Sequence, residues 1–208
     1  MSRNRDTGAY GHLGDNTNLL INGGSPFYGF VSQRGDFETS PTVIGGDEYS
    51  VDRWQHSTTG ASSNYPTVQV VGGYLRTTCA NQPTINAYTQ QVVEEGESFV
   101  GQTLTLSGKC NTDSANLRAW VIVNGVWVSL GSITGDFSFT FTKQAANVDD
   151  HFRVRFSISD ASDPNIGINA GGEYFELAEV KLERGSVATP FEYEPYGDVL
   201  AKCQRYFC

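Results

Sequence analysis

The strongest constraint on the fold of this chain is an apolar segment centred on an Asn–Gly pair, residues 119–130, with the sequence AWVIVNGVWVSL. Runs rich in Val, Ile and Trp flank Asn124 and Gly125, two residue types that readily adopt the positive φ angles of a type I′ turn. A two-residue turn of this type joins antiparallel strands because its twist matches theirs. The segment therefore predicts a β-hairpin.

Other stretches alternate apolar and polar residues with the two-residue period of a half-buried strand. Residues 137–142 place three Phe on one face, and residues 152–158 place Arg153 and Arg155 opposite an apolar face. About nine or ten strands at a spacing of roughly 8–12 residues, with no long helical pattern, predict an all-β fold, an antiparallel β-sandwich of the jelly-roll kind. Further strands are predicted at residues 67–77, around a Gly–Gly turn, and at 84–93 and 102–107.

The last predicted strand, residues 173–184, changes its parity part-way along. Phe175 and Leu177 share one face, whereas Val180 and Leu182 fall on the other. A one-residue slip would turn side chains to the wrong side of the sheet. A β-bulge near residues 178–179 is the simplest way to keep all four in the core.

The chain ends in two segments of different character. Residues 183–197 combine aromatic residues with Pro190 and Pro195, each of which disfavours a helical conformation in the residue before it. This pattern is typical of an extended segment laid flat over a sheet. Residues 198–208 are predicted to form a short helix with an apolar stripe, which is marginal alone and should dock on its own sandwich or on symmetry mates. The stripe comprises Val199, Cys203 and Tyr206, flanked by Leu200 and Phe207.

Composition fits one large domain at residues 18–197, preceded by a polar arm at residues 1–17 that is either a frayed terminus or an anchor. Of the 208 residues, 38% are hydrophobic, including 12 Phe, 10 Tyr and 3 Trp. The net charge is −9, with only 14 scattered Lys and Arg residues, which disfavours nucleic-acid binding.

The sequence has neither an apolar run of about 20 residues nor the apolar core of a secretory signal. We expect no membrane insertion, and folding in a cytoplasm.

The sequence contains no recognisable catalytic or metal-binding pattern. Its carboxylate clusters are mostly sequence neighbours, which face opposite sides of a strand and so suit a glycosidase poorly. There is no Gly-x-Ser-x-Gly elbow or phosphate-binding loop. The cysteines lack paired spacing, and the histidines form no cluster with them. The cysteines are therefore predicted to be buried or free thiols. We expect no enzyme activity, no metal and no cofactor. The cysteines are Cys79, Cys110, Cys203 and Cys208.

Aromatic residues are the better candidates for contacts with a glycan or a protein partner. Trp120 and Trp127 have the opposite parity to the valines of the hairpin, so both lie on the outer face of the sheet if the valines face the core. There they are either covered by another element or subunit, or form a binding platform. Tyr65, which precedes a proline in a polar loop, is a further surface-contact candidate. Trp54 is predicted to be a core residue.

Several segments together resemble a family of bacteriophage tail-fibre-type virion proteins with carbohydrate-binding-module-like jelly rolls. They are residues 18–24 (NLLINGG), 33–35 (QRG), 49–54 (YSVDRW), 90–94 (QQVVE), 101–107 (GQTLTLS), 183–197 (ERGSVATPFEYEPYG) and 200–206 (LAKCQRY). The resemblance implies a non-enzymatic virion protein, assembled in the host cytoplasm, that forms a homotrimer and contacts host-surface glycans. Its other partners would be phage tail, baseplate or capsid proteins.

The resemblance leaves more than one role open within a virion. The lack of a long shaft before the jelly roll fits capsid decoration, as a cement or head-fibre protein, at least as well as a tail-fibre tip; a polysaccharide depolymerase is a third alternative. Some relatives hold a structural calcium near the final strand, but Ala178 replaces one expected acid and leaves only Glu179. The trimer contacts are assigned to the terminal helix, at Val199, Leu200, Cys203, Tyr206 and Phe207.

Overall fold

The chain folds into two six-stranded antiparallel sheets. The computed structural model describes residues 17–35, 37–59, 65–81, 86–94, 96–123, 126–144 and 152–205. The strands are β1 (Thr42–Val43), β2 (Glu48–Tyr49), β3 (Gln55–Thr59), β4 (Thr67–Val71), β5 (Tyr74–Thr78), β6 (Asn86–Val92), β7 (Thr103–Thr112), β8 (Leu117–Val123), β9 (Val126–Ser132), β10 (Phe137–Thr142), β11 (Arg153–Ile158) and β12 (Tyr174–Arg184). A 3₁₀ helix at Gly96–Phe99 and an α-helix, α1 (Tyr196–Gln204), complete the elements.

The strand order confirms the predicted jelly-roll sandwich. Sheet I has the order β1-β4-β5-β12-β7-β10, and sheet II the order β2-β3-β6-β11-β8-β9. Since the chain crosses repeatedly from one sheet to the other, each sheet combines strands that are distant in sequence. The apolar faces of the two sheets meet in one core, which contains Trp54 as predicted.

The two predicted hairpins are confirmed. In the β8–β9 hairpin Val123 pairs with Val126, and the two turn residues between them lie outside the described residues. In the β4–β5 hairpin the turn residues Gly72 and Gly73 have φ angles of 57° and 86°. Glycine adopts such angles without the steric cost that a Cβ atom would bring.

The period-2 pattern also places the core residues correctly. In β11, Val154 and Phe156 are fully buried between the sheets, and the arginines on either side of Val154 point away from the core. In β10, Phe137 is buried, whereas Phe139 and Phe141 are only partly buried. This difference arises because β10 is the edge strand of sheet I.

The predicted β-bulge lies in β12. Its register against β7 shifts between Ala178 and Lys181, and Glu179 has a φ angle of 50°. The extra residue lets Leu177 and Val180, of opposite parity, both face the core. Glu179 points outward and forms an ion pair with Lys109, at 2.7 Å.

Before the bulge, β12 pairs with β5. After the bulge, residues 19–23 lie beside β12 instead. The amide of Leu19 donates a hydrogen bond to the carbonyl of Leu182, and the amide of Val180 donates to the carbonyl of Gly23. A Cβ atom on Gly23 would lie only 2.2 Å from the Val180 carbonyl oxygen. Glycine at this position therefore allows the close approach of the two backbones.

The Pro-containing segment after β12 lies across sheet I, as predicted. Glu183, on the outer side of β12, accepts hydrogen bonds from the amide and the hydroxyl of Thr189. The ammonium group of Lys181 donates to the Thr189 hydroxyl and to the Pro190 carbonyl. The two buried charged side chains therefore anchor the segment to the sheet.

The terminal helix docks on its own sandwich. Helix α1 begins at Tyr196, two residues before the predicted boundary, with Pro195 as its N-cap. Val199 and Cys203 are buried against Val31. Within the described part of the chain, no helix is long and apolar enough to cross a membrane.

Candidate functional site

The outer face of sheet II carries the most conspicuous group of functional side chains. Alternate residues of its strands point away from the core, and cross-strand pairing brings them side by side. One row runs across five strands through Gln55, Gln90, Arg155, Trp120 and Ser129. We call the following set the arginine–aromatic face: Gln55, Tyr88, Gln90, Arg118, Trp120, Trp127, Ser129, Arg153 and Arg155.

Arg155 holds the centre of this face together. Its guanidinium carbon lies 3.8 Å from the ring centroid of Tyr88 and 4.1 Å from that of Trp127. Its Nε donates to Gln90 and its Nη1 to Asn165, both at 2.9 Å. Burial lowers the pKa of Arg155 to about 10, so the side chain remains a cation at neutral pH. A planar cation packed against two rings orients both of them.

Four buried polar atoms on this face have no hydrogen-bond partner within the described part of the chain. They are Trp120 Nε1, Ser129 Oγ, Arg118 Nε and Arg153 Nε. Each such atom costs about 1–3 kcal/mol when its hydrogen bond is left unmade, so native structures contain few of them. Trp120 and Ser129 are direct cross-strand neighbours. Such a cluster of unpartnered buried atoms in one place calls for an explanation.

The loop after β11 borders the face. Asn165 belongs to this loop and accepts the hydrogen bond from Arg155. The loop also contacts β6, because the side-chain amide of Asn86 donates to the Pro164 carbonyl. The face is therefore partly enclosed, with Trp120 only 1% exposed and Trp127 half-buried.

The structure places both predicted tryptophans on this outer face. The parity argument holds at Val121, which is buried in the core. Val126 and Val128 also lie on the face opposite to Trp127, but they are not buried, at 64% and 42% exposed. These two residues belong to β9, the edge strand of sheet II.

Tyr65 lies at the opposite edge of sheet II from Trp127. It is half-buried, and a Cβ atom on Gly46 would be 3.5 Å from its ring. Asp47, which follows Gly46 in sequence, accepts a hydrogen bond from the hydroxyl of Tyr88 at 3.0 Å. Tyr65 is thus close to one end of the arginine–aromatic face, while Trp127 lies at the other.

Sequence reasoning missed the residues that organise the face. It assigned Arg153 and Arg155 to the outer side of their strand, but nothing local connects Arg155 with Tyr88 or Gln90. These residues are 65 or more positions apart in sequence and meet only through the pairing of β6 with β11. The strand predicted at residues 84–93 was the available signal.

The predicted trimer contacts lie mostly against the chain itself. Val199 and Cys203 are buried in a cluster with Val31, and Leu200 packs at its edge. These side chains are already occupied within the subunit, so a trimer formed through α1 would use the other side of the helix. Tyr206 and Phe207 lie outside the described residues.

The three described cysteines are buried free thiols, as predicted. Burial raises the pKa of Cys79, Cys110 and Cys203 to about 12, so all three remain protonated at neutral pH. Cys208 lies outside the described residues. Within the described ranges, no group of three His, Cys, Asp or Glu residues is arranged to hold a metal ion.

A serine and a histidine do meet, but in the core. Ser50 Oγ lies 2.5 Å from His56 Nε2, and Thr89 Oγ1 lies 2.9 Å from His56 Nδ1. Both Ser50 and His56 are fully buried. A threonine, rather than a carboxylate, faces the second nitrogen, and no substrate can reach the pair. The contact is therefore structural.

Comparisons with known proteins give fold-level similarities only. No protein-family model matches the chain, and no curated protein matches it. Among solved structures, the enzymatically active domain of bacteriophage CBA120 tailspike protein 4 is 11% identical with a TM-score of 0.46. The match covers 81% of this chain but only 21% of the tailspike chain.

Two carbohydrate-binding modules are also similar in fold. CBM4 is 17% identical with a TM-score of 0.40, over 74% of this chain and all of that module. TmCBM61, solved in complex with β-1,4-galactotriose, is 12% identical with a TM-score of 0.41, over 81% of this chain and 99% of the module.

Proposed function

We propose that this chain is a non-enzymatic glycan-binding jelly roll whose arginine–aromatic face receives the saccharide. The observation that carries the proposal is the grouping of oriented aromatic rings with unpartnered buried polar atoms on one face. Rigid rings with a polar tip suit surfaces that combine apolar and polar contact, as a sugar ring requires. The ring of Trp127 is half-buried, so part of it is open to a sugar, while the unpartnered atoms Trp120 Nε1 and Ser129 Oγ are buried close to it.

The absence of enzymatic activity is part of the proposal. Glycoside hydrolysis requires a carboxylic acid and a second carboxylate on opposite sides of the scissile bond. The charged side chains that define the arginine–aromatic face are arginines, which remain protonated and cannot supply this pair. The described Ser–His contact is enclosed in the core.

The proposed setting is a phage virion, in a homotrimer of the tail-fibre or receptor-binding type. Its support is the set of sequence segments that ends with residues 183–197. Capsid decoration is the alternative role, and the number of copies per virion separates the two. A few dozen copies or fewer would support a tail position, whereas hundreds of copies would overturn it in favour of the capsid.

Trp127→Ala tests the binding face. We expect the variant to weaken saccharide binding about fivefold or more, because stacking contacts of this size are worth about 1 kcal/mol or more. The measurement is a glycan array with the intact protein, followed by titration calorimetry with the best ligand. Val126→Ala is the matched control, since Val126 is exposed on the same strand but faces the opposite side.

Two results would count against this function. The first is that no saccharide binds to the folded protein. The second is that Trp127→Ala binds the array ligand as tightly as the unmodified chain, which would exclude this face as the site. New reducing ends after incubation with the bound polysaccharide would show that the protein is an enzyme.

A further inference from the structure

The arginines of the arginine–aromatic face form no ion pair with any described residue, in a chain whose net charge is −9. Among the described residues, Arg118, Arg153 and Arg155 have no carboxylate within 4 Å. Five other cations have a glutamate partner, namely Arg53, Arg76, Lys109, Lys181 and Lys202, whereas Lys143 and Arg184 form no ion pair with a described residue and lie apart from this face. The three arginines therefore form a cluster of cations without a carboxylate in ion-pair contact among the described residues.

The positions of the three arginines bring their charges together. Arg153 and Arg155 are two residues apart on β11 and point to the same side of the sheet. Arg118 pairs with Ser157, the next outward residue of β11, so it lies diagonally beside Arg155. Like charges on neighbouring strand positions are destabilising. The aspartates around the rim (Asp47, Asp160 and Asp163) act on these arginines only from beyond ion-pair distance.

The unused hydrogen-bond donors match the geometry of a carboxylate. The Nε atoms of Arg118 and Arg153 are buried and have no acceptor among the described residues, while both side chains as a whole are only half-buried. A guanidinium group donates from Nε and a neighbouring Nη in a planar fork, which fits the two oxygens of a carboxylate. Arg155 differs, because its Nε is already bonded to Gln90 and its plane is packed between two rings.

We propose that the saccharide bound by this face is acidic: a polysaccharide with carboxylate-bearing sugar units, such as uronic acids. This inference rests on the proposed glycan-binding function and names its ligand class. The sugar ring packs on Trp127, and its carboxylate accepts hydrogen bonds from Arg118 or Arg153. Arg155 orients the rings and adds positive charge.

The test compares each acidic polysaccharide with its own carboxyl-reduced product. The probes are alginate, polygalacturonate, hyaluronan and polysialic acid, each in both forms, measured against the intact protein by affinity electrophoresis and calorimetry. We expect at least one acidic form to bind about tenfold or more tightly than its neutral product. Raising the salt concentration from about 50 to 500 mM should weaken that binding, since part of it is electrostatic.

Arginine variants then locate the contact. Arg118→Gln and Arg153→Gln should each weaken binding of the acidic form about fivefold or more, and weaken binding of the reduced form by a smaller factor. Arg184→Gln is the matched control, because it removes the same charge from an exposed position on sheet I. Circular dichroism confirms that each variant is folded, and the comparison of the two polysaccharide forms needs no variant.

The possible outcomes separate this inference from the function on which it rests. Equal binding of acidic and reduced forms, or binding only of neutral glycans, overturns the acidic ligand and leaves glycan binding intact. Binding of no saccharide at all overturns both. A sulfated polysaccharide that binds as tightly as the best carboxylated one shows a general anion site and overturns the assignment to a carboxylate.

Discussion

His56 shows how a single polar residue is accommodated in the core of the sandwich. It is fully buried, and its ring nitrogens face the hydroxyl groups of Ser50 and Thr89, with Thr77 at 3.4 Å. Burial lowers the pKa of His56 from 6.5 to about 3, because the charged imidazolium would lose its hydration. The residue is therefore neutral in the folded protein over most of the acid range.

This shift predicts a loss of stability in acid. Below pH 6.5 the unfolded chain binds a proton at residue 56, whereas the folded chain does so only near pH 3. The free energy of unfolding contributed by His56 is therefore fully present above pH 6.5 and falls as the pH drops toward 3. The slope is at most about 1.4 kcal/mol per pH unit, so about 2 kcal/mol is lost between pH 6.5 and 5.

Urea unfolding of the unmodified chain and His56→Gln at several pH values measures this contribution. The free energy of unfolding is plotted against pH for each protein. The difference between the two slopes isolates residue 56, because the other titrating groups are common to both proteins. The unmodified chain should lose more stability than the variant on acidification. Parallel curves between pH 7 and 5 would contradict the neutral, buried histidine.

At the scale of elements, β12 organises both the sheet and the chain terminus. Its bulge lets both Leu177 and Val180 face the core. Its outer side presents Lys181 and Glu183 to the segment that crosses sheet I. The two side chains are 1% and 0% exposed, and Lys181 Nζ lies 3.2 Å from Glu183 Oε2. A buried pair of this kind is costly to break, because removal of one partner leaves the other charge unpaired.

Glu183→Gln should therefore lower the free energy of unfolding by about 3 kcal/mol, with Lys181 left as a lone buried charge. The double variant Lys181→Met/Glu183→Gln should lose less than the single variant, since no unpaired charge remains. Glu192→Gln, at an exposed position of the same segment, is the control and should change stability by less than about 0.5 kcal/mol. Denaturant unfolding checks all three. A double variant as unstable as the single one would mean that the ion pair does not anchor the segment.

At the scale of the whole molecule, substitutions on the two sides of the terminal helix distinguish packing within the chain from assembly between chains. Val199 faces the chain's own sandwich, while Ala201 lies on the exposed side of the helix. If the predicted homotrimer forms through α1, Ala201→Arg should reduce the mass measured by light scattering from three chains to one. Val199→Ala should lower the free energy of unfolding by about 2 kcal/mol and leave the mass unchanged. A monomeric unmodified chain would rule out the trimer.

Most of the strand layout could be predicted from local pattern. The Asn124–Gly125 pair located a hairpin, and the change of parity around Ala178 located a bulge, because both follow from the period-2 geometry of strands. The same geometry placed Trp120 and Trp127 on an outer face. It could not tell that Trp120 would be buried there or that Val126 would be exposed. Burial depends on what packs over a strand and on whether the strand lies at an edge.

The sequence by itself determined which side of its strand each residue occupies, since that depends only on alternation along the backbone. The tertiary structure decided which strands are neighbours, because sheet order is set by long-range hydrogen bonding and burial of the shared core. That order brings Tyr88, Trp127 and Arg155 from three separate strands into one contact. It also sets the buried side of the terminal helix against Val31. The candidate site therefore exists only in the folded molecule, although the sequence specifies the outward direction of its side chains.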